Sequence, residues 1–419
     1  MKEECIEIIS DGKVNLEIDV SYLRKICDIL KKLEISNSED IAIRRIVNGS
    51  VEQEVPVVRK QNVIVNEEWV NELLVGCTKH NEFYNNYLHG ISYLRIIDDF
   101  NFISKHLKTD YKVLEVGALP PLLDLVLNEK GGVSDITVLD PNASEFSKFF
   151  DKRKMKYIEA DITEMEKYVR IGEYDVIIIS AVWEHLIVDI YQLMKVIHSR
   201  LKKDGLLFFT VPTTSSIAGI YGLLCENSGY ATKYKEGIVK QYTRYEENGY
   251  YGHIREYTAK EIEDLFEYKN RFKVVDKEFD NMYVGGVVGA LELLYPERAT
   301  NARYIFKKCS EIYTKTLGKE ICLWGRGHVY QINNNEIRKY LDISYVIDDN
   351  ANDEEWLAKG AACVVPDKLN EISNPYVIIM LEREEYRNQV KSYLESKGIP
   401  YSFYDELEIE GFIAKRPEV

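Results

Sequence analysis

The 419-residue sequence predicts an α/β protein: a parallel, doubly wound sheet, preceded by an α+β extension and followed by a second, small α/β domain. Three observations predict it. Between residues 113 and 212, five short runs rich in β-branched residues alternate with amphipathic stretches, the succession that builds parallel sheets with right-handed crossovers. Several of these runs end in a carboxylate or a glycine, and such sheets bind ligands outside the strands' carboxyl ends. From Gly318 the alternation begins again over a shorter span.

The first strand is the run Val113-Leu114-Glu115-Val116, closed by Gly117 at a strand-to-helix turn where the backbone can approach a ligand closely. Pro120 and Pro121 suit the first turn of the next helix, where a missing amide hydrogen costs little. Ile136 to Asp140 is a second strand, and its terminal acid stands about twenty residues on, where such folds place the acceptor for ribose hydroxyls. Tyr157 to Asp161 is a third. Tyr174 to Ser180 is almost wholly apolar and β-branched, the mark of a central strand covered on both faces. Leu206 to Pro212, after a turn at Asp204-Gly205, is the fifth. Tyr191 to Leu201 shows helical spacing through Leu193, Val196, Ile197 and Leu201.

Upstream, residues 1–75 form the extension, with helical spacing over Tyr22 to Leu33 and strand-pair alternation over Val55 to Val65, broken by Arg59 to Asn62. Residues 79–107 predict helices carrying Tyr84, Tyr87, Leu88, Ile91 and Leu94 on one stripe. Downstream, Thr213 to Gly252 is an insertion with seven tyrosines, among them Tyr221, Tyr230, Tyr234, Tyr242 and Tyr245. It follows the fifth strand, the position from which a loop reaches over the active edge. Its flat, hydroxyl-bearing side chains suit a sugar or oxygenated ring, or equally the packing of the insertion itself.

In the order and spacing of these motifs, residues 90–310 resemble the class I S-adenosylmethionine-dependent methyltransferases, whose core is a Rossmann-like sheet. The resemblance implies that Glu115, Gly117 and Ala118 form the first cofactor motif, that Asp140 meets the ribose, and that Asp161 and Ile162 flank adenine. Ser180, Ala181 and the Trp183-Glu184-His185-Leu186 segment then lie beside the methionine end and the acceptor, and His253 to Thr258 leads into the helix before strand six. The closing strands fall at 271–279 and 303–308. The sequence departs from the family in one place: Ala118, Leu119, Pro120 and Pro121 stand where further glycines are usual, and their side chains narrow the space beside the methionine moiety.

The resulting domains are residues 1–75, 76–312 and 318–419. The last contains strands over Glu320 to Trp324, Ile343 to Asp348, Gly360 to Pro366 and Tyr376 to Leu381, and a helix over Glu385 to Lys397. Gly325-Arg326-Gly327 makes a turn, but Tyr330 takes the place of the third glycine of a dinucleotide fingerprint. This tail resembles the C-terminal Rossmann-like domains of some sugar methyltransferases. The amino-terminal zinc cysteines of the sugar C-methyltransferases are absent, so the tail is expected to be a substrate module or a scaffold through which two copies associate.

Hydrophobic content of 45% is ordinary for a globular protein, and a formal net charge of -15 disfavours duplex nucleic acid and anionic membranes as partners. No signal peptide or spanning segment is visible, and the seven scattered cysteines form no C-x-x-C pair; a reduced, cytoplasmic chain without structural zinc follows.

The leading expectation is methyl transfer from S-adenosylmethionine to oxygen of a small hydroxylated acceptor, a sugar or nucleotide sugar. A positioned histidine suits the base because its pKa lies near neutrality, and His185 and His253 are the candidates, with Tyr257 a third. Trp183, Tyr221 and Tyr257 are expected at the acceptor. Glu184, His185 and His253 would be a thin ligand set for a divalent ion, and the sequence alone favours no metal. A non-catalytic nucleotide-binding scaffold and a fused nicotinamide-dependent sugar oxidoreductase are the alternatives, though the tail shows no Tyr-x-x-x-Lys.

Overall fold

The computed structural model describes residues 4–10, 13–19, 41–47, 50–57, 63–75, 77, 81–225, 252–281, 286–352, 356–357 and 360–416, with residues 239, 242, 243 and 246 besides. By compactness the chain divides into two units. One comprises residues 1–193, 205–265 and 274–307, and the other residues 194–204, 266–273 and 308–419.

The larger unit opens with strands β1 (Glu4–Ser10), β2 (Lys13–Asp19), β3 (Ile41–Val47) and β4 (Ser50–Pro56). They form an antiparallel sheet ordered β2-β1-β3-β4. Of the strand pair expected over Val55 to Val65, Val55 and Pro56 end β4, whose partner β3 precedes it, residues 63–65 belong to no strand, and residues 58–62 lie outside the described residues. A helix follows at Glu67–Leu74, which Asn66 caps by accepting from the amides of Glu68 and Trp69. The helix expected over Tyr22 to Leu33 lies outside the described residues.

The stretch 79–107 folds as two helices, Asn81–Leu88 and Ile91–Ile103, parted at Gly90. The break splits the expected stripe: Tyr84 and Leu88 are buried, whereas Ile91 is exposed.

The central sheet contains β5 (Lys112–Val116), β6 (Asp135–Asp140), β7 (Lys156–Glu159), β8 (Tyr174–Ser180), β9 (Leu201–Pro212), β10 (Phe272–Asp280) and β11 (Asn301–Lys308). Its order is β10-β11-β9-β8-β5-β6-β7, with β5, β6, β7 and β8 mutually parallel and β11 antiparallel to β9. The chain thus starts in the middle, winds outward to β7, then returns through β8 to the opposite edge. The fifth strand begins at Leu201 rather than Leu206, because Asp204, at φ 60°, takes up the expected turn without ending the strand. One face of the sheet packs Val113, Val138, Val176, Ile178 and Phe208 against Leu122, Val126, Phe146 and Phe150 of the covering helices, all buried. Each such side chain contributes roughly 1.5–3 kcal/mol.

Two local features set the entry to the site. Pro120 and Pro121 do not sit in the first helical turn; the helix spans Leu122–Glu129, Pro121 occupies its cap position, and the Leu119–Pro120 bond is cis. The residue before a proline is kept out of the α region, so Pro120 cannot be helical ahead of Pro121. On the far side, Thr258 and Glu261 form a capping box for the helix Ala259–Glu267: Glu261 N donates to Thr258 Oγ1 (3.1 Å), and Thr258 N to Glu261 Oε2 (2.8 Å).

The smaller unit holds a parallel sheet ordered β14-β13-β12-β15-β16, made of β12 (Glu320–Trp324), β13 (Ile343–Ile347), β14 (Ala362–Val364), β15 (Pro375–Ile379) and β16 (Tyr401–Phe403). Gly325 follows β12 at φ 101°, and a Cβ there would lie 2.7 Å from Leu381 Cδ2. Asp348 accepts from the amides of Arg326 (2.7 Å) and Asn350 (3.0 Å), so its carboxylate braces the turns at the end of β12 and after β13. Among the described residues, Cys77, Cys309, Cys322 and Cys363 are buried and in no disulfide, and no helix is long and apolar enough to cross a membrane.

Candidate active site

The parallel strands β7, β6, β5 and β8 end together: Val116 is level with Leu139 and Ile179, and Asp140 with Glu159. Gly117, Asp140, Asp161, Ser180 and Ala181 therefore emerge along one sheet edge. Gly117 sits at φ +70° with its amide on Leu139 O (2.9 Å), and a Cβ there would lie 2.5 Å from Val182 Cγ2, so only glycine fits. Ala118 is buried directly after it. Asp140, the last residue of β6, accepts from Asn142 N (2.8 Å), and burial pushes its carboxyl up to about 6. Asp161 is exposed and caps the short turn beginning at Ile162, accepting from Thr163 N and Oγ1; Ile162 is buried.

Glu115 does not reach solvent at that edge. It is buried against Asp124 of the following helix. Burial first, and the neighbouring carboxyl second, hold Glu115 well above the usual carboxylate range, and burial raises Asp124 to about 7. The two acids are thus stable while they keep a proton between them.

Ser180 is held from below. Its Oγ donates to Asp99 Oδ2 (2.7 Å), accepts from Arg95 Nη1 (2.6 Å), and lies 3.1 Å from Thr210 Oγ1. Asp99 also accepts from Arg303 Nε (2.6 Å), Arg303 pairs with Asp280, and Arg95 Nη2 donates to Tyr87 OH (2.9 Å). Arg95, Asp99 and Arg303 are all buried. Ala181 follows at φ +53°, a strained position for a residue with a Cβ, fixed because its amide donates to Thr210 O and Oγ1 (3.1 Å each).

Beyond Ala181 the chain turns through Trp183–His185 and meets the segment 252–257. Glu184 O accepts from the amides of Ile254 (2.7 Å) and Arg255 (3.2 Å), locking the two loops together. His185 and His253 consequently face each other with ring centroids 4.7 Å apart, and both Nε2 atoms turn to Glu184 Oε1, at 4.0 and 3.9 Å. Each imidazole is oriented through Nδ1: His185 against Gly252 O (2.7 Å) and His253 against Glu256 Oε1 (2.7 Å). Burial lowers His185 to about 4, so it is neutral, and raises Glu184 to about 7. The oxygen Oε2 of Glu184 is buried without a hydrogen-bond partner.

Residues 87–276 match the family model of the methyltransferase domain. That stretch of the chain is a methyltransferase domain. Among solved structures, the chain is similar to an S-adenosylmethionine-dependent methyltransferase from Archaeoglobus fulgidus, at 16% identity over 55% of this chain and 100% of that one, with a TM-score of 0.37. It is also similar to the 1,6-didemethyltoxoflavin-N1-methyltransferase of Burkholderia thailandensis, at 15% identity over 61% of this chain and 96% of that one, with a TM-score of 0.36. No curated protein matches the chain.

The methyltransferase's own residues fit the cofactor. Gly117 brings bare backbone to the edge, and Asp140 offers a carboxylate at the end of the adjacent strand, as a ribose requires. The expected acceptor residues divide differently. Trp183 is fully buried with its ring edge-on to Phe209 (5.4 Å), so it anchors the loop rather than facing an acceptor. Tyr221 is buried in the helix Ile217–Cys225. Tyr257 is buried beneath the Arg255 guanidinium (4.7 Å), and burial raises its phenol, which makes it a poor base. Of the insertion's other tyrosines, Tyr242 is exposed, and Tyr230, Tyr234, Tyr245, Tyr250 and Tyr251 lie outside the described residues.

Sequence reasoning missed Arg95, Asp99, Thr210, Asp280, Glu256 and Arg303. A signal existed for two of them: Arg95 and Asp99, four apart, interrupt the apolar face of one helix, a spacing that pairs charges.

Proposed function

We propose that the methyltransferase domain methylates a hydroxyl oxygen of a small hydroxylated acceptor, a sugar or nucleotide sugar, lodged against His185 and His253. The observation that carries this is the convergence of two imidazoles on Glu184, with Glu256 behind His253. When bound, S-adenosylmethionine supplies a methyl group already activated on sulfonium, so the chain must align the acceptor, exclude water and take one proton.

His253 is the better base. Glu256 accepts from its Nδ1–H, which leaves Nε2 on the side of His185 and Glu184 and stabilises the imidazolium formed as the acceptor hydroxyl gives up its proton. His185, neutral and held by Gly252 O, completes the wall beside it. The sugar class draws its support from the tyrosine-dense segment between residues 213 and 252, whose rings and hydroxyls match a polyhydroxylated ring.

The test is transfer of a labelled methyl group to a panel of nucleotide sugars, with the product's linkage determined. His253→Ala should lower turnover by roughly 10²–10⁴ while leaving S-adenosylhomocysteine affinity unchanged. A product methylated only on nitrogen or carbon, or full turnover in the variant, would overturn the proposal.

A further inference from the structure

We propose that Glu184, His185 and His253 bind a divalent first-row transition-metal ion, one that the sequence alone did not favour. One ligand atom from each of the three lies within 4.8 Å of the other two. The distances from Glu184 Oε1 to the imidazole Nε2 atoms, 4.0 and 3.9 Å, are too long for hydrogen bonds. A shared ion with ligand bonds of about 2.1 Å would hold neighbouring donors about 3.0–3.4 Å apart, so the three donors would draw together by about 1 Å on binding.

The surroundings are those of metal-binding histidines. A ligating imidazole gives its other N–H to a carbonyl or carboxylate, which fixes the tautomer and aims the lone pair. Both kinds of partner are present: Gly252 O at His185 Nδ1, and Glu256 Oε1 at His253 Nδ1, each at 2.7 Å. The third donor points independently to a ligand. Glu184 is 1% exposed, and its Oε2 has no hydrogen-bond partner, an arrangement that costs free energy unless a cation completes it. Two imidazoles and one carboxylate from two loops leave coordination positions open, and this donor set suits Mn²⁺, Fe²⁺ or Co²⁺ better than Mg²⁺, which prefers oxygen.

The ion's part in the reaction rests on the proposed hydroxyl methylation, whereas its binding does not. Two vicinal hydroxyls of a sugar would fill open positions, and the ion would lower the pKa of one of them. That oxygen bonds to the methyl carbon as the carbon–sulfur bond breaks, S-adenosylhomocysteine departs, and the hydroxyl proton passes to water. His185 and His253 then act as ligands, and the ion takes over the task otherwise assigned to the imidazole base.

The test uses the full chain, stripped with chelator and desalted, then titrated with MnCl₂ by calorimetry and by the loss of the free Mn²⁺ paramagnetic resonance signal. One saturable equivalent per chain is expected, weakened at least tenfold in Glu184→Gln and in His253→Ala, and roughly 10–100-fold in Glu256→Gln. Retained S-adenosylhomocysteine binding shows that each variant is folded. The absence of saturable Mn²⁺ binding, or binding undiminished in Glu184→Gln and His253→Ala, overturns the proposal. Full turnover of the chelated enzyme removes the ion from the reaction and leaves the imidazole base standing. Mn²⁺ binding without transfer to any hydroxyl acceptor keeps the ion site and removes the proposed acceptor.

Discussion

Asp124→Asn isolates the buried acid pair at the first cofactor strand. In the wild type, burial raises Asp124 from 3.8 to about 7, and burial together with the neighbouring Asp124 carboxyl holds Glu115 well above its usual value. The unfolded chain releases these protons near pH 4, while the folded chain keeps them. Where the folded state binds more protons, stability falls as pH rises, so the pair's contribution is complete below pH 4 and is lost as pH climbs through about 7. At about 1.36 kcal/mol per unit, the two units between pH 5 and the folded value near 7 make roughly 3 kcal/mol for Asp124 alone. Asparagine keeps the shape and can donate to Glu115 without titrating. Urea unfolding of both proteins at pH 5 and pH 8 should therefore show the wild type losing roughly 3 kcal/mol more than the variant across that interval. Parallel losses would mean that the two carboxyls titrate as solvated groups, and would refute their coupling beneath the site.

Gly117→Ala should destabilise the fold by placing a Cβ at φ +70° and 2.5 Å from Val182, at roughly 1–2 kcal/mol for the backbone and 1–3 kcal/mol for the overlap. Adding Val182→Ala should recover the second part only, as read by denaturant unfolding. Arg303→Met leaves the buried Asp99 without one of its two cations and should cost about 3–5 kcal/mol in denaturant unfolding; a change below 1 kcal/mol would show that the network is not structural.

Much of this was legible because burial leaves a local imprint. β8 is covered on both faces, and its unbroken apolar run Val176 to Ile179 says so. β5 and β6 end in turns that demand Gly117 and Asp140, and the Thr258-x-x-Glu261 box marks a helix start by composition alone. The strands of the C-terminal sheet were legible for the same reason, as was the helix at Glu384–Ser396.

The misses have a different physical origin. The hairpin β1–β2 and its partner β3 are short, polar-rich alternations whose register depends on pairing rather than on each run's own composition. The network under Ser180 joins Asp99 to Arg303 across 204 positions, and no local pattern encodes such a pair. His185 and His253 were recognisable as candidates. Their meeting over Glu184 depends on two backbone hydrogen bonds to Glu184 O, and the role of Glu256 depends on the same closure. Trp183 and Tyr257 misled for the converse reason: a large ring beside an active edge can face the acceptor or pin the loop, and only packing decides.

The most direct test of the central claim is calorimetric titration of S-adenosylmethionine and S-adenosylhomocysteine into the wild type and Asp140→Ala. Asp140 ends the strand beside Gly117, and a carboxylate hydrogen-bonded to ribose contributes about 1.5–3 kcal/mol. Both ligands should bind the wild type in one equivalent, and the variant should bind them at least tenfold more weakly. An unchanged dissociation constant in the variant, or no binding to the wild type, would contradict the placement of the cofactor at this sheet edge.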